Sequence, residues 1–370
     1  MRDAASAAGE NAVASADLAG LGALADRLDE AALLVIAFTL RRSGLFPDPA
    51  ATHSLQDVLA ATKAAPRHHR IVRRWLAVLL RENMITLADG RYRDLRAVEA
   101  AEVERALAGL DAAARGFAHG PGLTRFFQQS AAYLPDLLTD AISLQALLFA
   151  GDDLDVADDV YRRNLASRYT NQAAAAVIRD FVRQRHHPAK VLEVGAGVGG
   201  TTAEVLPELD GLGVDYLFTD VTRYFLTVAE ERFGSRIRYG IFDINAAEQQ
   251  IPAHSMDVVL AANVLHNARH AGRVLGGLRE LLAPGGLLVF IETCRDHYQL
   301  MTSMQFLMSP PASSPDADFE DFRRGTDRIF PSRQEWLSEL ESAEFREAFA
   351  VPEADHPLTR IGQHVFIATA

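Results

Sequence analysis

An α/β fold, a mostly parallel sheet preceded by a helical domain, is what this sequence predicts, and three observations predict it. The run Val191-Leu-Glu-Val-Gly-Ala-Gly-Val-Gly-Gly-Thr201 breaks from an apolar strand into glycines and then into a helix-like segment. From residue 189 onward short apolar runs alternate with helical segments, the pattern of βαβ units around a parallel sheet. Between about 96 and 165 the chain reads as helices alone.

Each element has its own signal. Residues 1–20 are rich in Ala, Gly and Ser without periodicity and are expected to form a mobile leader. Leu18 to Leu45 shows helical spacing and stops at Gly44. Ser54 caps a helix to Thr62, and Pro66 opens another with Ile71, Trp75, Leu76, Leu79 and Leu80 on one face. Thr86 to Arg93 reads as a hairpin around Asp89-Gly90, so helix, helix and hairpin make a winged-helix pattern. The helical stretch that follows breaks near Gly120-Pro121-Gly122 and Gly151-Asp152-Asp153. Strands are expected at Val191–Gly195, Tyr216–Thr219, Arg238–Phe242, Met256–Ala261, Leu287–Glu292 and His364–Ala368, with a sharp turn at Pro284-Gly285-Gly286. The expected division is a leader over 1–20, a helical, winged-helix-like lid or dimerisation domain over 21–150, and a cofactor-binding domain over 151–370.

Composition narrows the function classes. The chain has 370 residues, 49% of them hydrophobic, enough for a large core. A net charge of −12 argues against a nucleic-acid groove or an anionic membrane surface as partner. A single cysteine, Cys294, rules out an internal disulfide and thiolate metal clusters, and the expectation is a cytoplasmic protein that holds no metal. The longest apolar run, Ala31 to Leu40, is too short to span a bilayer, and the N-terminus lacks the pattern of a signal peptide.

The glycine loop alone fits NAD, FAD or S-adenosylmethionine. Asp220 ends the second strand, where a carboxylate accepts from ribose hydroxyls. Asp243 ends the third strand, where an acid can accept from an adenine amino group, and Asn263 ends the fourth. After the loop comes Gly200-Thr201-Thr202 rather than the third glycine of a dinucleotide site, and no cationic cluster awaits a pyrophosphate. S-adenosylmethionine, which carries no phosphate, fits better than NAD.

The segments Leu192-Glu-Val-Gly-Ala-Gly-Val-Gly-Gly-Thr-Thr202, Phe218-Thr-Asp-Val-Thr222, Ala262-Asn-Val-Leu-His266 and Leu281-Leu-Ala-Pro-Gly-Gly-Leu-Leu288 resemble class I S-adenosylmethionine-dependent methyltransferases. More narrowly they resemble the methyltransferase domains of polyketide synthases and nonribosomal peptide synthetases, here as a stand-alone enzyme of natural-product biosynthesis. The segment Tyr161-Arg…Ser167-Arg-Tyr-Thr-Asn171 is similar to the stretch just before that family's core. The resemblance implies a Rossmann-like core with a mostly parallel seven-stranded sheet. It implies S-adenosylmethionine bound by Glu193, Gly195, Gly197, Gly199, Asp220, Val221, Asp243, Ile244 and Asn263, with Tyr161 and Tyr169 closing over it. It also implies a His–Glu dyad, His266 and Glu292. Where the family writes Val-Leu-His-Ala-Thr, this chain continues His266-Asn267-Ala268-Arg269.

The chemistry is consistent with that dyad. His266 lies just past the fourth strand and Glu292 ends the fifth, so both sit at the carboxyl rim of the sheet, where open α/β folds bind ligands. Glu292 would hold the imidazole tautomer and His266 would take the substrate proton. His297, Met301, Met304, Phe306, Met308 and Phe322 are expected to wall an apolar substrate pocket. The acceptor is expected to be an acidic carbon of a small-molecule or carrier-protein-bound acyl intermediate. The alternatives are O-methylation with the same base, a winged-helix metabolite sensor using the Arg67–Arg81 face, and an NAD-dependent oxidoreductase. The winged-helix lid is also read as a surface on which two copies pair.

Overall fold

The structure, a computed structural model, describes the chain apart from residues 17, 49, 115–120, 149–154, 247–249 and 316. The expected helix breaks around 120–122 and 151–153 therefore lie largely outside the described residues.

The first half is helical: α1 (Arg2–Val13), α2 (Leu21–Arg42), α3 (Leu55–Thr62) and α4 (His69–Arg81), then the hairpin β1 (Thr86–Ala88) and β2 (Arg91–Arg93). Next come α5 (Ala100–Ala114), α6 (Pro121–Ala132), α7 (Leu134–Leu138), α8 (Leu144–Leu148), α9 (Asp155–Asp158) and α10 (Leu165–Arg183). Local chemistry explains the borders. Ser54 and Asp57 form a capping box at the start of α3. The hairpin turns at Asp89-Gly90, both at positive φ, and pairs Thr86 with Arg93. The apolar stripe expected on α4 is buried at Ile71, Trp75, Leu76 and Leu79, with Trp75 fully enclosed, while Leu80 is half-buried.

The first residues correct the sequence reading. They form α1, not a mobile leader, and α1 lies along α10. Its small residues permit the close approach: Ala5 is fully buried, and Gly9 sits against the Tyr169 ring, which a Cβ there would meet at 2.6 Å. Four arginines of the supposed basic face also turn out to be paired. Arg67 meets Asp140, Arg70 meets Asp318, Arg73 meets Asp327 and Arg74 meets Asp296. Three of those four partners lie in the segment 296–327, so those pairs bind α4 to that segment, and Arg67 in the turn before it pairs with Asp140 instead.

The second half is β3 (Ala189–Val194), α11 (Thr202–Glu208), β4 (Val214–Asp220), α12 (Arg223–Phe233), β5 (Arg238–Ile241), β6 (Met256–Ala262), α13 (Ala271–Leu281), β7 (Leu282–Thr293), α14 (Arg333–Ser342), β8 (Arg346–Val351) and β9 (Gln363–Thr369). The seven strands β3–β9 form one sheet in the order β5-β4-β3-β6-β7-β9-β8. The first five are parallel and β9 runs antiparallel to both β7 and β8. The edge strand β8, antiparallel to its neighbour β9, has no counterpart in the sequence reading. The expected turn at Pro284-Gly285-Gly286 is an irregularity within β7, where the partners jump from Met256–Leu282 to Val258–Leu287.

Side chains alternate across the sheet. Val191, Val258, Leu260, Val289 and Ile291 join a core shared with α10 and the helical half. Leu192, Val194, Val259, Leu288 and Phe290 join a second core with α13 and α14. Chain order reverses between β3 and β6, which opens a crevice at their carboxyl ends. Among the described residues no helix is long and apolar enough to cross a membrane.

Candidate active site

Two cavities open at that crevice. One, of about 330 Å³, lies over the glycine loop, and the other, of about 270 Å³, lies beneath the helical half. They meet at Tyr161, Asn263, Asn267 and Leu307, which line both.

The loop cavity is built by backbone geometry. Gly195 leaves β3 at φ 61°, and a Cβ there would come within 2.3 Å of Val264. Gly197, at φ 55°, has open space where a Cβ would be, and its N–H donates to Asp220 Oδ2 at 3.0 Å. Asp220 Oδ1 accepts from the Thr222 N–H at 3.0 Å. Burial raises the Asp220 carboxyl pKa above its ordinary value, against those hydrogen bonds. Val221, Phe225, Phe242 and Ile244 complete an apolar slot, and no lysine or arginine is among the described lining residues. A carboxylate beside an apolar slot, without a cation, fits a ribose and a flat ring without phosphate.

Tyr161 is positioned from two sides. It lies in a π-helical turn, Asp159–Arg163, a local widening common at functional sites. Its carbonyl accepts from Asn171, which in turn accepts from Thr201 beside the loop. The preceding Asp158 pairs with Arg232, which also donates to the Val198 carbonyl at 3.1 Å.

Of the expected cofactor residues, Tyr161, Gly195, Gly197, Asp220, Val221, Ile244 and Asn263 line this cavity, and four do not. Asp243 is exposed and accepts from its own loop at Asn245. Gly199 rests on Phe233. Tyr169 is buried between α10 and α1, its phenol pushed up to about 12 by that burial. Tyr169→Ala is therefore expected to cost about 3–5 kcal/mol of stability while leaving cofactor affinity of the folded protein unchanged. Denaturant titration and calorimetry check the two halves.

Glu193 is the fourth. Strand alternation turns its side chain under α11, where Oε2 accepts from Thr202 and Tyr216, both at 2.6 Å. Oε1 is buried without a partner, and burial lifts the carboxyl to about 7 from 4.5. A raised carboxyl binds its proton more tightly in the folded state, so stability is full below about pH 4.5 and falls as pH rises to about 7. At about 1.4 kcal/mol per pH unit, the loss is about 3 kcal/mol. Glu193→Gln is expected to remove this slope, which thermal unfolding at pH 5 and pH 8 would show.

The second cavity holds the expected His–Glu pair at its wall. β6 and β7 are neighbours, so the turn after β6 meets the end of β7. His266 Nδ1 lies 2.7 Å from Glu292 Oε2, and Glu292 Oε1 accepts the His266 backbone N–H at 3.1 Å. Both side chains are buried, Glu292 completely. Facing a carboxylate, which only accepts, Nδ1 is the ring nitrogen placed to donate, and the neutral imidazole in that tautomer has its lone pair on Nε2. His266 lines the cavity, and the Phe330 ring sits 5.2 Å from the imidazole.

His297, Met304 and Met308 line the same cavity as expected, with Leu21, Leu24, Phe126 and Phe127 as apolar wall. His297 Nε2 donates to the Ile361 carbonyl at 2.8 Å. Met301, Phe306 and Phe322 are not part of it. The Met301 carbonyl accepts from Trp75, Phe306 packs against His68, and Phe322 is half exposed. The expected stripe is two 3₁₀ turns, Tyr298–Thr302 and Met304–Met308, broken at Ser303, so its periodicity resets. Sequence reading missed Asn267, Phe330 and Gln363, which also line the cavity. Gln363 donates to Asn263 at 3.1 Å, a contact that only the pairing of β9 with β7 creates.

Residues 192–288 match a family described as a methyltransferase domain. Pyochelin synthetase PchF of Pseudomonas aeruginosa is 31% identical over 363 residues, covering 94% of this chain and 19% of that protein. Polyketide synthase ThaG of Burkholderia thailandensis is 36% identical over 245 residues, covering 63% of this chain and 4% of that one. The chain thus spans a fifth or less of these relatives. Among solved structures, the CurJ carbon methyltransferase matches with a TM-score of 0.87 at 24% identity, covering 98% of this chain and 96% of that one.

Proposed function

We propose that the chain is an S-adenosylmethionine-dependent methyltransferase, akin to the methyltransferase regions of polyketide and nonribosomal peptide synthetases, and that it methylates an acidic carbon of a small-molecule or carrier-bound acyl intermediate. The observation that carries the reading is the buried His266–Glu292 pair, in a cavity that meets the glycine-loop cavity at Tyr161, Asn263, Asn267 and Leu307. The carbon acceptor is further supported by likeness to proteins described as carbon methyltransferases.

Bound S-adenosylmethionine supplies an electrophilic methyl on a positively charged sulfur. Asp220 would accept from the ribose hydroxyls, and Val221, Phe242 and Ile244 would hold the adenine. His266 Nε2 would take a proton from the carbon beside a carbonyl, leaving its electron pair to form the new carbon–carbon bond. Glu292 would keep Nδ1–H in place and stabilise the imidazolium that results. The apolar wall would exclude water from a carbanion-like centre. The sulfur–methyl bond would break as the carbon–carbon bond forms, with S-adenosylhomocysteine as the other product, and His266 would return the proton to solvent. With one reactant in each cavity, the shared wall would hold donor and acceptor side by side in a fixed geometry, which is the entropic contribution of the site.

Calorimetric titration with S-adenosylhomocysteine, with NAD as the control, tests the cofactor assignment. Binding of the first and none of the second is expected. Binding of NAD in place of S-adenosylhomocysteine would overturn the assignment.

A further inference from the structure

Arg323 is fully buried beneath the turn that carries His266. Its guanidinium donates to the His266 carbonyl at 2.7 Å, to the Ala268 carbonyl at 2.7 Å and to the Ile329 carbonyl at 2.9 Å. Asp321 completes the fork, accepting at 3.0 Å on Oδ1 and 2.6 Å on Oδ2. The ring of Phe319 covers the guanidinium at 3.8 Å. Asp321 Oδ2 also accepts the Ala271 N–H at 2.9 Å, at the start of α13.

The turn needs an external brace. Residues 265–267 form a single 3₁₀ turn, and the carbonyls of His266, Asn267 and Ala268 all accept from side chains: Arg323, Asn245 and Arg323. The same guanidinium fixes Ile329, next to the Phe330 ring that packs on the imidazole. It thus sets the backbone below the base and the aromatic wall beside it. A planar fork with five donors can reach three carbonyls and a carboxylate together, which an ammonium cannot.

We propose that Arg323, held by Asp321, is a positioning residue for the His266 base. It touches no reactant and acts by fixing the 265–268 turn and Phe330, so that the imidazole meets the acceptor carbon in line with the shared cavity wall. This rests on the reading of His266 as the base. Misplacing a catalytic group by about 1 Å costs about 10²-fold in rate.

The test uses methyl transfer from S-adenosylmethionine to the N-acetylcysteamine thioester of 3-oxobutanoate. Arg323→Ala is expected to lower kcat about 10²-fold, with S-adenosylhomocysteine affinity unchanged and part of kcat restored by added guanidinium ion. Arg323→Lys is expected to fall between wild type and Arg323→Ala. In the His266→Ala background, Arg323→Ala is expected to lower the rate no further, because no imidazole remains to be positioned. Should Arg323→Ala fail to fold, Asp321→Asn, which keeps the volume and frees the guanidinium, carries the same cycle. Equal losses in both backgrounds, or full activity in Arg323→Ala and Asp321→Asn, would overturn the proposal. Wild-type activity in His266→Ala alone would instead overturn the base assignment beneath it.

Discussion

His266→Ala is expected to lower kcat about 10²–10⁴-fold, the usual contribution of a positioned general base, while S-adenosylhomocysteine binds as before. The separation follows from the geometry: His266 lines the second cavity and not the one over the glycine loop. A cost in stability should accompany it. Glu292 is completely buried, and without the imidazole its charge keeps one hydrogen bond, to the residue 266 backbone. Leaving a buried charge unpaired costs about 3–5 kcal/mol. His266→Asn, whose amide nitrogen stands near the Nδ1 position and can still donate to the carboxylate, should recover much of the stability and none of the rate. Thermal unfolding beside steady-state kinetics resolves the two effects. A variant that kept wild-type kcat would remove His266 from the mechanism.

Glu292→Gln is the second large effect, and it works through the tautomer. A carboxylate forces the proton onto Nδ1, whereas the amide introduced here can donate to Nδ1 and move the proton to Nε2. The base would then present a proton to the acceptor in place of a lone pair. In a Ser–His–Asp triad the equivalent change costs about 10⁴-fold with the geometry intact, and about 10²–10⁴-fold is expected here. Stability should change little, since the shape and the 3.1 Å bond from the 266 N–H are retained. Isotope-edited NMR of the histidine ring nitrogens reports the tautomer directly. A rate near wild type would mean that Glu292 serves folding alone.

Much of this arrangement was legible before the structure. The central strands β3, β6 and β7 stand out as apolar runs, because burial on both faces leaves no polar alternation to blur them. β8 escaped because it is an edge strand, Arg-Glu-Ala-Phe-Ala-Val, with Arg346 and Glu347 exposed and an irregular register to β9. α1 escaped because its contact with α10 uses alanine and glycine, so no stripe of large apolar residues marks it. The glycine loop, Asp220 and His266 are local in sequence, each tied to one strand end. Glu193 stands outside the loop cavity because strand parity, not proximity to the loop, decides where a side chain points. Arg323 carried no signal at all: it is one arginine in a polar stretch, and only the packing of 318–330 under the β6 end gives it partners.

The most direct test of the account is the destination of the methyl group. Wild-type protein is incubated with S-adenosylmethionine labelled with ¹³C at the methyl and with the 3-oxobutanoate thioester, and the product is read by ¹³C NMR. The account predicts the label on the carbon between the two carbonyls, formed by wild type and abolished in His266→Ala. A label on oxygen, or an equal yield from His266→Ala, would contradict it.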